Sequence, residues 1–172
     1  MKIAVLGFSG SGKSTLARTL AEGLGCPVLH LDRIQFVSGW KLRDRGEAAA
    51  LAEEFLDAHD SWVIDGNYKT FSQERRLREA DSILFLNFSR WSCLLRVIRR
   101  SLRYRGGTRP DMADGCTEKL DWEFVRWVLW EGRSPAMLRR ILENWPDKTV
   151  ILKNQRQRPH PLSESLDSDA SQ

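Results

Sequence analysis

The sequence predicts an α/β fold in which helices cover both faces of a five-stranded parallel sheet. Short apolar runs alternate along the chain with longer segments of helical periodicity, as parallel strands and their crossover helices do. The length of 172 residues is that of one domain with a complete hydrophobic core. A content of 41% hydrophobic and 29% charged residues is ordinary for a soluble globular protein.

The first half of the chain supplies three strands. In chain order, its predicted elements are a strand at 3–6, a helix at 13–24, a strand at 28–31, a helix at 46–59 and a strand at 61–64. Gly25 and Pro27 end the first helix, and Asp32 ends the second strand. A polar stretch at 33–44 follows, in which Trp40 is a candidate for stacking on a base.

The second half continues the alternation with two strands and more helices. Its predicted elements are a helix at 75–79, a strand at 82–88, helices at 91–104, 118–131 and 135–145, and a strand at 149–152. The glycines of 106–110 indicate a loop. Ser134 and Pro135 are typical of an N-cap and a first helical turn. Because the helix at 118–131 is heavily apolar, we expect it to pack in the core.

Between the first strand and the first helix lies a phosphate-binding loop pattern. The residues are Gly7, Phe8, Ser9, Gly10, Ser11, Gly12, Lys13 and Ser14, followed by Thr15, and they match G-x-x-x-x-G-K-[ST]. The glycines let backbone N–H groups turn toward phosphate oxygens, and the helix N-terminus adds positive charge. We expect these nine residues to bind ATP, with Lys13 near the β- and γ-phosphates and Ser14 offering its hydroxyl to Mg²⁺. The alternative is a plain glycine- and serine-rich turn.

Two aspartates follow predicted strands and are candidates for catalysis. Asp65 ends the third strand, where an acidic side chain can hold Mg²⁺ or its water. Asp65-Gly66 is also a hairpin-turn pair, but a hairpin needs antiparallel strands. Asp32 is a candidate to orient the acceptor, act as a base or join the Mg²⁺ shell. Equally, Asp32 is a candidate to cap a turn or to pair with Arg33 or Lys41.

Six arginines cluster between residues 96 and 109. They are Arg96, Arg99, Arg100, Arg103, Arg105 and Arg109. The first four can share one helical face, and guanidinium groups suit a transferring phosphoryl group. We expect one or two of them, foremost Arg96 and Arg100, to contact phosphate and the others to be solvated or paired with acidic neighbours. Arginine-rich helices also bind nucleic acid.

The net charge and the cysteines indicate the class of binding partner and the cellular compartment. The net charge of +4 favours anionic partners, a class that includes nucleotides, nucleic acid and membranes. No apolar stretch approaches the ~20 residues that span a bilayer, and we expect no signal peptide and no membrane partner. Three cysteines without a C-x-x-C pair are typical of reduced thiols in a cytoplasmic protein. The polar residues 156–172 are expected to be a disordered tail after a domain at 1–155.

Taken together, these residues resemble the P-loop kinases of the nucleoside-monophosphate (adenylate) kinase type. The chain is most similar to the DNA topology modulation protein family. The matching segments are 7–15, Leu31-Asp32, 62–68, Ala80-Asp81, 96–100, 109–112 and 115–118. The resemblance implies a three-layer P-loop NTPase fold with strand order 2-3-1-4-5 and a helical, arginine-bearing lid at about 103–118 that closes over ATP. Lys69 stands where adenylate kinases carry the arginine expected to grip the acceptor's phosphate.

These observations predict a Mg²⁺- and ATP-dependent phosphotransferase that acts on an unidentified small-molecule acceptor. The expected catalytic residues are Lys13, Asp32, Asp65, Arg96 and Arg100, with Ser14 and Asp65 at the metal. The alternative is a nucleotide-binding regulator that contacts DNA through its basic surface and turns ATP over slowly or not at all.

Overall fold

A computed structural model describes residues 1–117 and 120–157. The strands are β1 Lys2–Gly7, β2 Val28–His30, β3 Phe36–Val37, β4 Lys41–Leu42, β5 Trp62–Asp65, β6 Ser82–Leu86 and β7 Thr149–Leu152. The helices are α1 Lys13–Leu24, α2 Leu31–Gln35, α3 Arg45–Ala58, α4 Gln73–Glu79, α5 Arg90–Arg103, α6 Trp122–Arg126 and α7 Pro135–Asn144. A π-helical segment, Trp127–Glu131, continues α6.

Five strands form one sheet in the order β2-β5-β1-β6-β7, and all their pairings are parallel. With β3 and β4 left out, this is the predicted order 2-3-1-4-5, so the predicted α/β class and topology are confirmed. The register places Asp65 beside both Val5 and His30. The carboxyl ends of β1, β2 and β5 therefore meet at one edge of the sheet.

Helices cover both faces of the sheet, because side chains along β1 alternate between two buried clusters. Ala4 and Leu6 pack with α3, α4 and α7 on one face. Ile3 and Val5 pack with α1 and α5 on the other. Burial on both faces explains why the central strands are almost continuously apolar.

The region after β2 differs from the prediction. The strand ends at His30, and Asp32 lies in the first turn of α2 rather than at a strand end. The stretch predicted to be only a polar loop contains an antiparallel hairpin of β3 and β4, which we call the hairpin 36–42. Phe36 and Trp40 pack edge to face in it, with ring centroids 5.3 Å apart. This aromatic contact compensates for the weak strand pattern of the sequence.

The expectation that 118–131 is a core helix is wrong. Helix α6 begins at Trp122, whose side chain is 71% exposed, and Trp130 is 53% exposed. Val128 and Leu129 are the buried members of the helix and its π-helical continuation. A heavily apolar helix buries only the side that packs against another element. Here that element is α5.

The predicted lid segment has a loop conformation over its described part. Residues 104–117 contain turns and a β-bridge between Thr108 and Thr117, with α5 before them and α6 after them. Of the tail, Arg156 and Gln157 belong to a short 3-10 helix, Gln155–Gln157. Residues 158–172 lie outside the described part, as do 118 and 119. Within the described residues, no helix is both long and apolar enough to cross a membrane.

Candidate active site

The phosphate-binding loop follows β1 and opens α1. Gly10 and Gly12 adopt φ angles of 76° and 86°, which side chains other than glycine rarely adopt. A Cβ atom on Gly10 would lie 2.7 Å from both the Cys93 carbonyl oxygen and a Val97 methyl carbon. The glycine therefore lets the loop approach α5, the helix that carries the arginines.

Lys13, Ser14 and Asp65 lie together beneath this loop. Lys13 Nζ donates to the Phe8 carbonyl at 3.3 Å. Burial lowers the pKa of Lys13, and the nearby carboxylates of Asp32 and Asp65 oppose that shift. Ser14 Oγ donates to Asp65 Oδ2 at 2.8 Å. The structure thus brings three of the predicted site residues close together.

A buried histidine holds the metal candidate Asp65. The Asp65 side chain is nearly inaccessible, and its Oδ1 makes a short contact with Nδ1 of His30 from the adjacent strand. The hydroxyl of Ser14 and the carboxylate of Asp65 are the hard oxygen ligands that Mg²⁺ prefers. No cage of three or more His, Cys, Asp or Glu occurs among the described residues. Mg²⁺ usually binds one or two protein ligands together with substrate phosphates.

Asn67 fixes the start of the phosphate-binding loop. Its Oδ1 accepts from the Gly7 amide at 3.2 Å, and its Nδ2 donates to the Gly7 carbonyl at 2.8 Å. Because β5 and β1 are neighbours, the residue after Gly66 can reach the first loop residue. Asn67 therefore acts on the loop as a two-point clamp.

We expect Asn67→Ala to lower the free energy of unfolding by about 1–3 kcal/mol, since two hydrogen bonds are lost, and to weaken ATP binding. Thermal unfolding and ATP titration measure the two effects. Asn144→Ala is the control, because Asn144 donates to a surface helix carbonyl far from the loop. Unchanged ATP affinity in Asn67→Ala would contradict a role of the clamp in shaping the loop.

Asp32 is held by a tyrosine on the loop after β5. Tyr68 Oη donates to Asp32 Oδ1 at 2.7 Å, and burial and the Asp32 charge raise the pKa of Tyr68. The same loop is held by Arg76, which is buried and donates to the carbonyls of Phe71 at 2.7 Å and Tyr68 at 2.8 Å. Burial lowers the pKa of Arg76 to about 10. Tyr68 is thereby fixed from its backbone as well as from its hydroxyl.

Four arginines of α5 line the site, and Arg96 contacts the phosphate-binding loop directly. Arg96 Nη1 donates to the Ser11 carbonyl at 3.0 Å, and its guanidinium lies 4.5 Å from the Phe88 ring centroid. Burial lowers the pKa of Arg96. Arg100 lies 5.8 Å from the Phe124 ring centroid. Arg99 and Arg103, which were expected to be solvated or paired, also line the cavity described next.

One cavity of about 1130 Å³ joins these groups. Its walls include Lys13 and Ser14 of the loop, Asp32 of α2 and residues of the lid segment. Asp111 of that segment is buried and pairs with Arg109 at 3.1 Å. Burial alone would raise the pKa of Asp111. The Arg109 charge, a backbone hydrogen bond and the nearby polar side chain of Ser14 outweigh this and lower the pKa. A carboxylate of the lid segment thus reaches the phosphate-binding loop.

Sequence reasoning missed several residues of the site. The sequence pattern does not single out His30, yet the parallel register of β2 and β5 pairs it with Asp65. Tyr68 and Asn67 follow Asp65 directly, so their closeness to the site was available from the strand end. Asp111 belongs to the matching segment 109–112 but was expected only among the acidic partners of the arginines, and Arg133 left no signal. Arg133 stacks 4.1 Å from the Phe8 ring centroid and donates to the Phe88 carbonyl at 2.5 Å.

Solved structures show which proteins share this fold. The chain is similar to a gluconokinase from Sinorhizobium meliloti 1021, with a TM-score of 0.53 and 20% identity over 88% of this chain and 81% of that one. It is also similar to a provisionally assigned kinase from Chloroflexus aurantiacus j-10-fl, with a TM-score of 0.53 and 18% identity over 92% and 91% of the two chains. No protein-family model and no curated protein matches the sequence. The chain therefore has the fold of P-loop kinases.

Proposed function

We propose that the protein is a Mg²⁺- and ATP-dependent phosphotransferase that acts on a small-molecule acceptor. One observation carries the proposal. A single cavity is lined by the loop lysine, by Ser14, which donates to Asp65, by the carboxylate of Asp32 and by arginines of α5. Phosphoryl transfer depends on positioning and on charge stabilisation, and these side chains supply both.

Each residue has a role that follows from its position. The loop amides and Lys13 bind the phosphates of ATP. Ser14 and Asp65 hold Mg²⁺, which neutralises charge on those phosphates, and His30 orients Asp65 by its contact with Oδ1. Arg96 and Arg100 stabilise the charge that spreads over the phosphoryl oxygens during transfer.

Two likenesses support the choice of a kinase. Both structural neighbours carry kinase names, and one of them is named for gluconate. The sequence motifs are those of the adenylate-kinase type, with Lys69 at the position of the acceptor-binding arginine. Lys69 is exposed and is absent from the cavity wall. We therefore propose that the chain resembles adenylate kinases in its ATP-binding residues and differs from them in its acceptor-binding residues.

The direct test is ATP-dependent thermal stabilisation followed by an acceptor screen. Binding of ATP to the native state raises the melting temperature in a concentration-dependent way. Gluconate and nucleoside monophosphates are the first acceptors to be screened, with ADP formation as the readout. Absence of any stabilisation by Mg²⁺ and ATP would refute the proposal.

A DNA-contacting regulator remains the second candidate, favoured by the exposed arginines Arg99, Arg103 and Arg105 at the end of α5. Such a protein binds duplex DNA with a steep salt dependence, because each neutralised phosphate releases counterions. A kinase with an arginine-lined cavity shows instead an acceptor-dependent turnover. One set of arginine variants therefore distinguishes the kinase from the DNA-contacting regulator.

We expect Arg96→Ala and Arg100→Ala to lower turnover much more than ATP affinity, because their contacts tighten in the transition state. Arg→Lys should restore only part of the activity, since lysine lacks the planar fork. Turnover and duplex-DNA affinity at two salt concentrations measure both functions. Arg139→Ala is the control, since Arg139 is an exposed residue of α7. Normal turnover together with weakened DNA binding would favour the regulator, with each lost phosphate contact flattening the salt slope by about one unit.

A further inference from the structure

The cavity has two ends of different charge. Helix α5 follows β6 on one side of β1, and it contributes Arg96, Arg99, Arg100 and Arg103 to the wall. Helix α2 follows β2 on the other side of β1. With the hairpin 36–42 and the lid segment it forms what we call the acceptor half, which is lined by Asp32, Phe36, Trp40, Tyr68, Arg109 and Asp111.

The acceptor half is poorly suited to a phosphate group. Arg109 is its one cation among the described residues that line the wall, and it already forms an ion pair with Asp111 at 3.1 Å. Both side chains of that pair are only 10% exposed, so solvent screens their charges weakly. Asp32 adds a further carboxylate. Lys13 lies near Asp32, but we assign its charge to the phosphates of ATP. A phosphate dianion in this half would therefore meet two carboxylates, with Arg109 already paired and Lys13 already engaged, and this repulsion costs more in a partly buried site than in water.

Asp32 is placed to take a proton from a bound molecule. Its Oδ1 accepts the Tyr68 hydroxyl at 2.7 Å. Among the described residues no donor to Oδ2 is present. Tyr68 stays protonated because burial and the Asp32 charge raise its pKa, so it remains a donor. Tyr68 therefore holds the carboxylate in one orientation, with its second oxygen left for a ligand.

An aromatic wall stands next to this carboxylate. Trp40 Nε1 donates to the Thr117 carbonyl at 2.9 Å, and Phe36 packs against the indole. Trp40 has a φ angle of 63°, which is unusual for a bulky residue. The hydrogen bond across to residue 117 thus holds the ring in a fixed position. A fixed aromatic face packs against the C–H face of a sugar, a polyol or a base.

We propose that the acceptor is a hydroxyl-bearing small molecule without a phosphate group, and that Asp32 is its general base. This inference rests on the proposed phosphotransferase function. The acceptor oxygen forms a bond to the γ-phosphorus, and the bond between that phosphorus and the β,γ-bridging oxygen breaks. The bridging oxygen leaves with the electron pair as part of ADP. The hydroxyl proton passes to Asp32 Oδ2, a step that an ionised phosphate oxygen would not need.

The test uses the full-length protein, Mg²⁺ and ATP labelled at the γ-phosphate. Three acceptor conditions are compared: water alone, a mixture of sorbitol, glycerol and the common nucleosides, and the 5′-monophosphates of those nucleosides. Labelled products are separated as inorganic phosphate, phosphate esters or nucleoside diphosphates. Wild type, Asp32→Asn and the control Asp60→Asn are measured, Asp60 being an exposed residue that precedes β5.

We expect label in phosphate esters or inorganic phosphate and none in diphosphates. Asp32→Asn should lower the transfer rate by at least about 100-fold, the usual contribution of a general base, with ATP affinity within about twofold of wild type. Asp60→Asn should match wild type. A diphosphate formed from any monophosphate overturns the inference even if Asp32→Asn fails to fold. A transfer rate in Asp32→Asn within about threefold of wild type overturns it as well.

If the protein is not a phosphotransferase, the same experiment gives a result that differs from a failure of the acceptor inference. If wild type shows no stabilisation by ATP, or binds ATP and never releases or transfers its label, then the phosphotransferase proposal fails and the acceptor inference falls with it. If ATP binds and its label moves, the phosphotransferase proposal stands, and the product class and the Asp32→Asn rate alone decide the acceptor.

Discussion

Lys13→Ala is expected to weaken ATP binding by about 10- to 150-fold. Lys13 Nζ contacts the Phe8 carbonyl inside the loop and lies near Asp32 and Asp65. We propose that its charge meets the β- and γ-phosphates of ATP there. Hydrogen bonds to charged groups contribute roughly 1.5–3 kcal/mol each, which corresponds to this loss. Isothermal titration with ATP measures it, and Lys41→Ala, at an exposed hairpin position, is the control.

The fold should not depend on Lys13. Because burial lowers its pKa, the folded protein holds the ammonium group less favourably than the unfolded chain does at neutral pH. The pKa shift thus makes an unfavourable contribution below the ordinary pKa, and this contribution fades as the lysine loses its proton. The melting temperature of Lys13→Ala without ATP should therefore equal or exceed that of wild type. Equal ATP-dependent stabilisation in both proteins would show that the loop assignment is wrong.

The same shift predicts a pH dependence of ATP binding. Only the protonated lysine attracts the phosphates, and its pKa lies below the ordinary value of 10.5. Wild-type affinity should therefore fall as the pH rises into that lower range, whereas Lys13→Ala should lack this component. Titrations of both proteins across the alkaline range compare the two curves. Parallel curves would mean that Lys13 does not contribute its charge to binding.

Asp65→Asn is expected to lower turnover by at least about 100-fold, as loss of a strong charge-stabilising group does. The substitution keeps the side-chain shape and one oxygen, so contacts with Ser14 and His30 can persist. It removes the negative charge that we propose holds Mg²⁺. ATP should still bind, and the Mg²⁺ concentration needed for half-maximal turnover should rise. The readouts are steady-state turnover over a Mg²⁺ titration and the melting temperature.

Two comparisons make the Asp65 result interpretable. Asp60→Asn removes a carboxylate just before the same strand and should leave turnover unchanged, because Asp60 is exposed and outside the cavity wall. His30→Gln tests the positioning contact and should raise the Mg²⁺ requirement less than Asp65→Asn does. If Asp65→Asn turns over as fast as wild type while remaining folded, then Asp65 serves only to end β5 and shape the turn after it.

Local sequence was sufficient for the phosphate-binding loop and for the sheet. The loop is one contiguous motif whose glycines, lysine and serine specify their own backbone path. The strand order came from resemblance to a family, and the alternation of apolar runs with helices predicted the parallel class. Asp65 was identified because a parallel strand ends there. The loop and the strand ends are thus visible in contiguous residues, whereas the pairing of the strands joins residues about 35 to 80 positions apart, such as Val28 with Val63 and Ile3 with Ser82.

Tertiary structure alone decided how the remaining groups meet. The contact of His30 with Asp65 depends on strand register, and the approach of Asp111 to Ser14 depends on where the lid segment folds. The hairpin at 36–42 forms because Phe36 and Trp40 pack together, against a weak local strand preference. The exposed tryptophans of α6 and its π-helical continuation likewise reflect which side of the helix packs against α5. Burial and register are properties of the whole packed chain, so no local pattern of residues specifies them.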